Sequence, residues 1–124
     1  MRSLWLLLMA VALLLACDPA RPNRQSEIAR NTGGNAKAGK EKMRAYGCPA
    51  CHTIPGIQGN ALVGPPLISW SKRVYIAGEV PNTPSNLMKW IQHPTSIEPK
   101  TAMPEMGVTD QDSRDIAAYL YSLN

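Results

Sequence analysis

Apolar positions along the chain fall into three regimes. Residues 1–16 are apolar except for Arg2 and Ser3, with an unbroken run from Leu4 to Leu15. Residues 18–36 then hold Ile28 as their one large apolar side chain, among Pro, Arg, Asn, Ser, Gly and Gln. Beyond them apolar residues recur at helical spacing. Residues 36–46 alternate Lys with small side chains and predict a helix, with Gly39 in its interior at a cost of ~1 kcal/mol against Ala. That cost calls for a packing reason. Residues 66–77 predict a short helix ending at Gly78. A better-marked helix has Thr83 as N-cap, Pro84 at its first position and Pro94 beyond its end, with Leu87, Met88, Trp90 and Ile91 along it. The last opens with Thr109 as N-cap and Asp112 three residues later. Ile116, Tyr119, Leu120 and Leu123 follow at i, i+3, i+4 and i+7, an amphipathic stripe. The pattern predicts a small all-α domain of three to five short helices.

The first regime has the three-part form of a secretory signal: a basic residue, an apolar run too short to span a bilayer comfortably, and a small residue before Cys17. An uncleaved membrane helix is the alternative. Leu14-Leu15-Ala16-Cys17 resembles the lipobox of bacterial lipoproteins, in which the Cys is acylated and the peptide is cut just before it. Asp18 resembles an inner-membrane retention signal of such proteins. The reading divides the chain into a signal peptide over 1–16, a lipidated Cys17 with a flexible tether over 17–36, and a domain over 37–124. A coil of that composition reaches roughly 25 Å, so the domain floats just off the outer face of the cytoplasmic membrane.

Composition sharpens this. The 124 residues allow one small domain, with 11 Pro and no Phe. A core so lean in large side chains needs a staple: disulfide, metal or cofactor. Without Arg2 the chain has 12 basic against 9 acidic residues. That mild excess suits an anionic membrane or an acidic protein partner and is too thin and scattered for nucleic acid.

Cys48-Pro49-Ala50-Cys51-His52 carries the chemistry. Thiols at i and i+3 project from one side of a helical turn, close enough to add across the two vinyl groups of one haem, and the next residue can bind its iron. A thioredoxin-like dithiol wants a strand before it and a parallel sheet around it. A zinc site needs further ligands, and only His93 and Cys17 remain. A Cys48–Cys51 disulfide encloses two residues and stabilises little. With one thiol for lipid and two for thioethers, all three Cys are used.

The second axial position is open to several residues. Iron held by His alone leaves a site for ligand or peroxide chemistry, whereas His plus Met favours electron transfer at raised potential. Met88 lies in a helical pattern that suits the core, and His93 precedes Pro94 as a surface loop residue. Met103 sits in Lys100-Thr101-Ala102-Met103-Pro104, where Pro104 keeps the Met out of a helix and lets it reach across the far haem face. Met106 is its direct competitor.

From about Gly39 to Leu123 the chain resembles the class I cytochromes c, with the haem motif followed by Thr101-Ala-Met-Pro, Gly107 and a final helix. The resemblance implies one covalent haem c with His52 and Met103 as axial ligands. It also implies that the carbonyl of Pro65, in Gly64-Pro65-Pro66-Leu67, accepts the Nδ1 proton of His52. Gly39, Met43 and Tyr119 are then the residues over which the first and last helices cross. Trp70, Arg73, Tyr75 and Trp90 are candidate donors to the haem propionates, or simply walls of its pocket. Residues 75–90 also resemble cytochrome c domains associated with subunit II of haem-copper oxidases. The function implied is single-electron transfer without substrate turnover, as a monomer serving a membrane oxidase or reductase in a respiratory chain. A fixed relay subunit of such a complex and a haem enzyme or gas sensor with a labile distal ligand are the alternatives.

Overall fold

The computed structural model describes residues 24–59 and 61–123; the signal peptide expected over 1–16 and the lipidation expected at Cys17 lie outside them. Four α-helices follow in order: α1 (Arg24–Thr32), α2 (Ala36–Ala45), α3 (Pro84–Gln92) and α4 (Asp110–Ser122). Between α2 and α3 come 3-10 turns at Cys48–Ala50 and Trp70–Lys72 and a two-stranded antiparallel hairpin of β1 (Tyr75–Ile76) and β2 (Val80–Pro81). A third 3-10 turn, Pro94–Ser96, follows α3. No helix among the described residues is long and apolar enough to cross a membrane.

The caps fall where local chemistry demands. Thr83 Oγ1 accepts from Asn86 N at the start of α3, and Thr109 Oγ1 accepts from Asp112 N at the start of α4. Asn35 caps α2 through Ala38 N, and its own N–H donates to Asp115 Oδ1 at 2.8 Å. A side chain of the last helix thereby fixes the beginning of the second.

Helices α2 and α4 make the closest crossing. A Cβ on Gly39 would lie 1.9 Å from Asp115 O and 2.8 Å from Ile116 N. The bare backbone of α2 therefore rests on the backbone of α4, and any side chain at 39 would occupy the same space. Met43, Ile116 and Tyr119 are buried around this crossing, and Tyr119 Oη donates to the Pro55 carbonyl. Farther along, Tyr46 Oη donates to Asp112 Oδ2 at 2.7 Å, and Lys42 Nζ lies 3.0 Å from Asp112 Oδ1. The Tyr46 hydroxyl and the Lys42 ammonium hold the Asp112 carboxyl below the usual carboxylate range. This clamp is present at neutral pH and is lost as pH falls through that lowered value.

Two expectations need correction. The tether over 17–36 does not extend as coil to residue 36: Arg24–Thr32 is helical, with Ile28 and Thr32 buried and the helix packed on α4. Ile28 and Thr32 are four apart and share a face, Thr32 Oγ1 bonds back to Ile28 O, and Gly34 N donates to Thr32 Oγ1 to turn the chain toward α2. A sparse polar segment orders here because α4 supplies the apolar surface that it lacks itself. The helix expected over 66–77 is also absent. Ser69 and Ala77 take left-handed φ of 46° and 54°, Arg73 is extended, and Asn82 N donates to Val74 O, so the segment runs as a 3-10 turn and a hairpin.

Candidate functional site

A cavity of about 390 Å³ opens among α2, α3, α4, the Cys48–Ala50 turn, the hairpin and the 101–108 loop, within the range of ~300–1,000 Å³ usual for ligand sites. Met43, Leu67, Ile76, Leu87, Ile91, Val108, Ile116 and Leu120 belong both to the buried core and to its lining. The helices thus pack around a space rather than only against one another. Its lining is predominantly apolar, as suits a large flat hydrophobic group.

Cys48, Cys51 and His52 reach the cavity from one wall. Gly47, in left-handed conformation at φ 74°, turns the chain out of α2. Cys51 N and His52 N then both donate to Cys48 O, at 3.2 and 3.0 Å, and wind the motif into a single turn. Both thiols are free and half-buried, and burial pushes the Cys48 thiol above its ordinary range. The His52 ring is held from behind: Nδ1 lies 2.7 Å from Pro65 O. If Nδ1 carries the proton, Nε2 is left unprotonated as a metal donor, and the bond fixes the orientation of the ring. Gly64 N donates to Cys51 O at 2.7 Å and seats this loop against the motif. A Cβ on Gly64 would stand 2.4 Å from His52 Cε1, so glycine is required for the imidazole to fit. In the sequence Gly64 stands out only as part of the Pro loop. Its signal was the Gly-Pro-Pro run, whose meaning appears only with the ring beside it.

Met103 and Met106 both line the cavity on the 101–108 loop. Met103 is half-buried, with its N–H donating to Thr101 Oγ1 at 3.2 Å; Met106 is 41% exposed. Glu105 between them accepts from Thr95 Oγ1 at 3.1 Å and stands 3.7 Å from His93 Nδ1. His93 is exposed on the surface, and Met88 packs against the core without lining the cavity.

Trp70, Arg73, Tyr75 and Trp90 all line the cavity, in unequal environments. Tyr75 is largely exposed and Trp90 half-buried. Trp70 is 4% exposed, and its Nε1–H has no hydrogen-bond partner. An orphaned buried donor costs about 1–3 kcal/mol. Arg73 stacks over the Trp70 ring at 4.9 Å and donates to Pro66 O, which makes a cationic corner beside that donor. Among the described residues no group of three or more His, Cys, Asp or Glu comes together as a metal cluster.

The donor set fits a haem. An apolar slot suits the ring, paired thiols suit its vinyl groups, a backed imidazole suits its iron, and a buried N–H beside a guanidinium suits its carboxylates. Residues 36–124 match the family model described as Cytochrome c, and the match takes in every one of these groups. No curated protein matches the chain.

Proposed function

The chain belongs to the cytochrome c family, and from that premise we propose that it is a class I, lipid-anchored electron carrier whose haem iron is held between His52 and Met103. A haem c bound through Cys48 and Cys51 supplies a one-electron iron couple. The observation that carries the reading is the cavity wall itself, where two free thiols and an imidazole backed by Pro65 stand on one side and a half-buried thioether loop lines the same space. Pro65 orients His52 and strengthens it as a donor. The apolar lining excludes water, which favours the less charged reduced state and raises the potential. Met103, on the loop that lines the same cavity, would hold the iron and leave no site for a ligand or peroxide, which would make the chain's role transfer rather than turnover.

Placement at the outer face of the bacterial cytoplasmic membrane rests on the 1–16 signal and Cys17. The likeness of residues 75–90 to oxidase-associated domains supports a respiratory partner, a terminal oxidase or reductase. Gentle detergent extraction tests this: a free lipoprotein fits the carrier, and co-purification with a large complex makes the chain a fixed relay. Failure of the native ferrous protein to bind carbon monoxide at neutral pH is the expected result for a filled distal site.

Gly64→Ala is expected to push the His52 ring off the Pro65 carbonyl. The variant should bind haem with weakened proximal ligation, seen as a high-spin component in its absorption spectrum. A spectrum identical to that of the native protein would show that the loop yields instead.

Among the four candidate propionate donors, the unpartnered Trp70 Nε1 is the strongest, with Arg73 beside it. A carboxylate that loses an N–H donor titrates higher. Trp70→Phe is therefore expected to move the propionate inflection in the midpoint potential upward by about 1–2 pH units. A pH profile unchanged from the native protein would make Trp70 a wall and nothing more.

A further inference from the structure

Asn82 lies between β2 and the N-cap of α3, and it bonds in three directions. Its side-chain Nδ2 donates to Trp70 O at 3.1 Å and to Arg73 O at 3.0 Å. Its backbone N–H donates to Val74 O at 2.8 Å. Its Oδ1 accepts from Tyr121 Oη at 2.9 Å. That last bond decides which way the amide faces, because a hydroxyl donating to Oδ1 leaves Nδ2 for the two carbonyls. Burial pushes the Tyr121 phenol up to about 12. The hydroxyl therefore keeps its proton, and its role as donor, across the range in which carboxylates and imidazoles titrate.

These bonds close the Trp70–Lys72 turn from outside the cofactor cavity. Trp70 O also accepts from Arg73 N at 3.0 Å, and Arg73 leaves the turn in extended conformation. Both side chains line the cavity, with the Arg73 guanidinium 4.9 Å from the centroid of the Trp70 ring. Asn82 and Tyr121 do not line it. They line a separate cleft of about 260 Å³, together with Ser71 of the same turn and Glu27 and Asn31 of α1. Ser71 Oγ donates to Leu123 O at 2.9 Å, which ties the turn to the end of α4 as well. Among the described residues lining the cofactor cavity, Arg73 is the one Asp, Glu, Lys or Arg; the other titratable groups are Tyr46, Tyr75, His52 and the two thiols. A carboxylate in that space is thus kept ionised by the Arg73 charge and the Trp70 N–H. Both start from a turn that Asn82 holds.

We propose that Asn82 is a positioning residue for a haem carboxylate: it fixes the Trp70–Arg73 turn from behind and, through those two side chains, sets the ionisation of that carboxylate. The proposal rests on the assignment of Trp70 and Arg73 to a propionate and adds the residue that aims them. An amide suits the task. It carries no charge to compete for Arg73, and its two N–H groups can serve two carbonyls at once, which a single hydroxyl cannot.

The test compares the haem-bound full chain with Asn82→Ala, Tyr121→Phe, Trp70→Phe and the Asn82→Ala/Trp70→Phe double variant. One readout is the pH at which the midpoint potential inflects. The other is solvent exchange of the Trp70 indole N–H in the reduced protein, its resonance assigned by its loss in Trp70→Phe. Asn82→Ala should raise the inflection by about 0.5–1 pH unit and speed the exchange at least about fivefold. Tyr121→Phe leaves both carbonyl bonds possible but no longer orients the amide, so it should move both readouts the same way by less. Because Asn82 acts through Trp70, the shift of the double variant should fall short of the sum of the two single shifts. Additive shifts would overturn the proposal. So would a loss of thermal stability in Asn82→Ala with inflection and exchange unchanged, which would make Asn82 scaffold alone. Should Asn82→Ala yield no folded protein, an unchanged Tyr121→Phe overturns the proposal by itself. In each of these cases an inflection raised by Trp70→Phe leaves the propionate assignment standing. An inflection that Trp70→Phe does not move would overturn both.

Discussion

Replacing Met103 with Ala is expected to abolish the sulfur-to-iron charge-transfer band of the oxidised protein and to lower its midpoint potential by on the order of 0.1–0.3 V. Met106→Ala should leave the band in place and move the potential little. The contrast follows from where the loop sets the two side chains. Met103 is half-buried in the cavity lining, its N–H tied to Thr101 Oγ1, with Pro104 barring a helical turn at that point. Met106 is 41% exposed at the rim, where a thioether remains hydrated. Glu105, held by Thr95, fixes the loop between them. With Met103 as the proposed ligand, loss of the thioether would leave the distal side of the iron open, so the Met103 variant should also bind carbon monoxide in the ferrous state. The reverse pattern, with the band lost in Met106→Ala alone, would transfer the ligand role three residues along the chain.

Gly39→Ala should destabilise the haem-bound protein by about 3–5 kcal/mol, enough to lower the unfolding midpoint by roughly 15–30 °C. The sign is the informative part. In an ordinary helix interior this substitution stabilises by ~1 kcal/mol, because Gly gives up the most backbone freedom on folding. Here the new methyl would sit 1.9 Å from a carbonyl oxygen of α4. The obstacle is backbone, which has no rotamer to retreat into. Relief requires α2 and α4 to separate, which would loosen the Asp115 carboxylate on Asn35 N and the Asp112 clamp on Tyr46 and Lys42. Thermal unfolding followed by helical circular dichroism checks the prediction. A variant as stable as the native protein would mean that the crossing can slide.

The motif at residues 48–52 was legible from spacing alone, because thiols three apart and the residue after them share one turn whatever surrounds them. The N-caps at Thr83 and Thr109 were legible for the same reason: a cap concerns atoms two or three residues away. The middle of the chain is not legible in this way. Residues 66–77 carry apolar residues that fit a helix, but left-handed backbone at Ser69 and Ala77 and the Asn82 bond to Val74 take the segment elsewhere. Those bonds come from residues that a local window does not weigh.

The covalent chemistry, the helical class of the fold and the order of its capped helices belong to the sequence itself, since each depends on side chains near one another along the chain. Three things were decided only in three dimensions. Gly39 became a contact between two backbones, Ile28 and Thr32 drew a polar stretch into a packed helix, and Trp70 became a buried wall of the cavity with Arg73 stacked over its ring. All three depend on what a distant segment brings to the spot: a carbonyl, an apolar face, or the far side of a pocket. Burial and close approach are relations between parts of the chain far apart in number, so no reading of neighbours in sequence contains them.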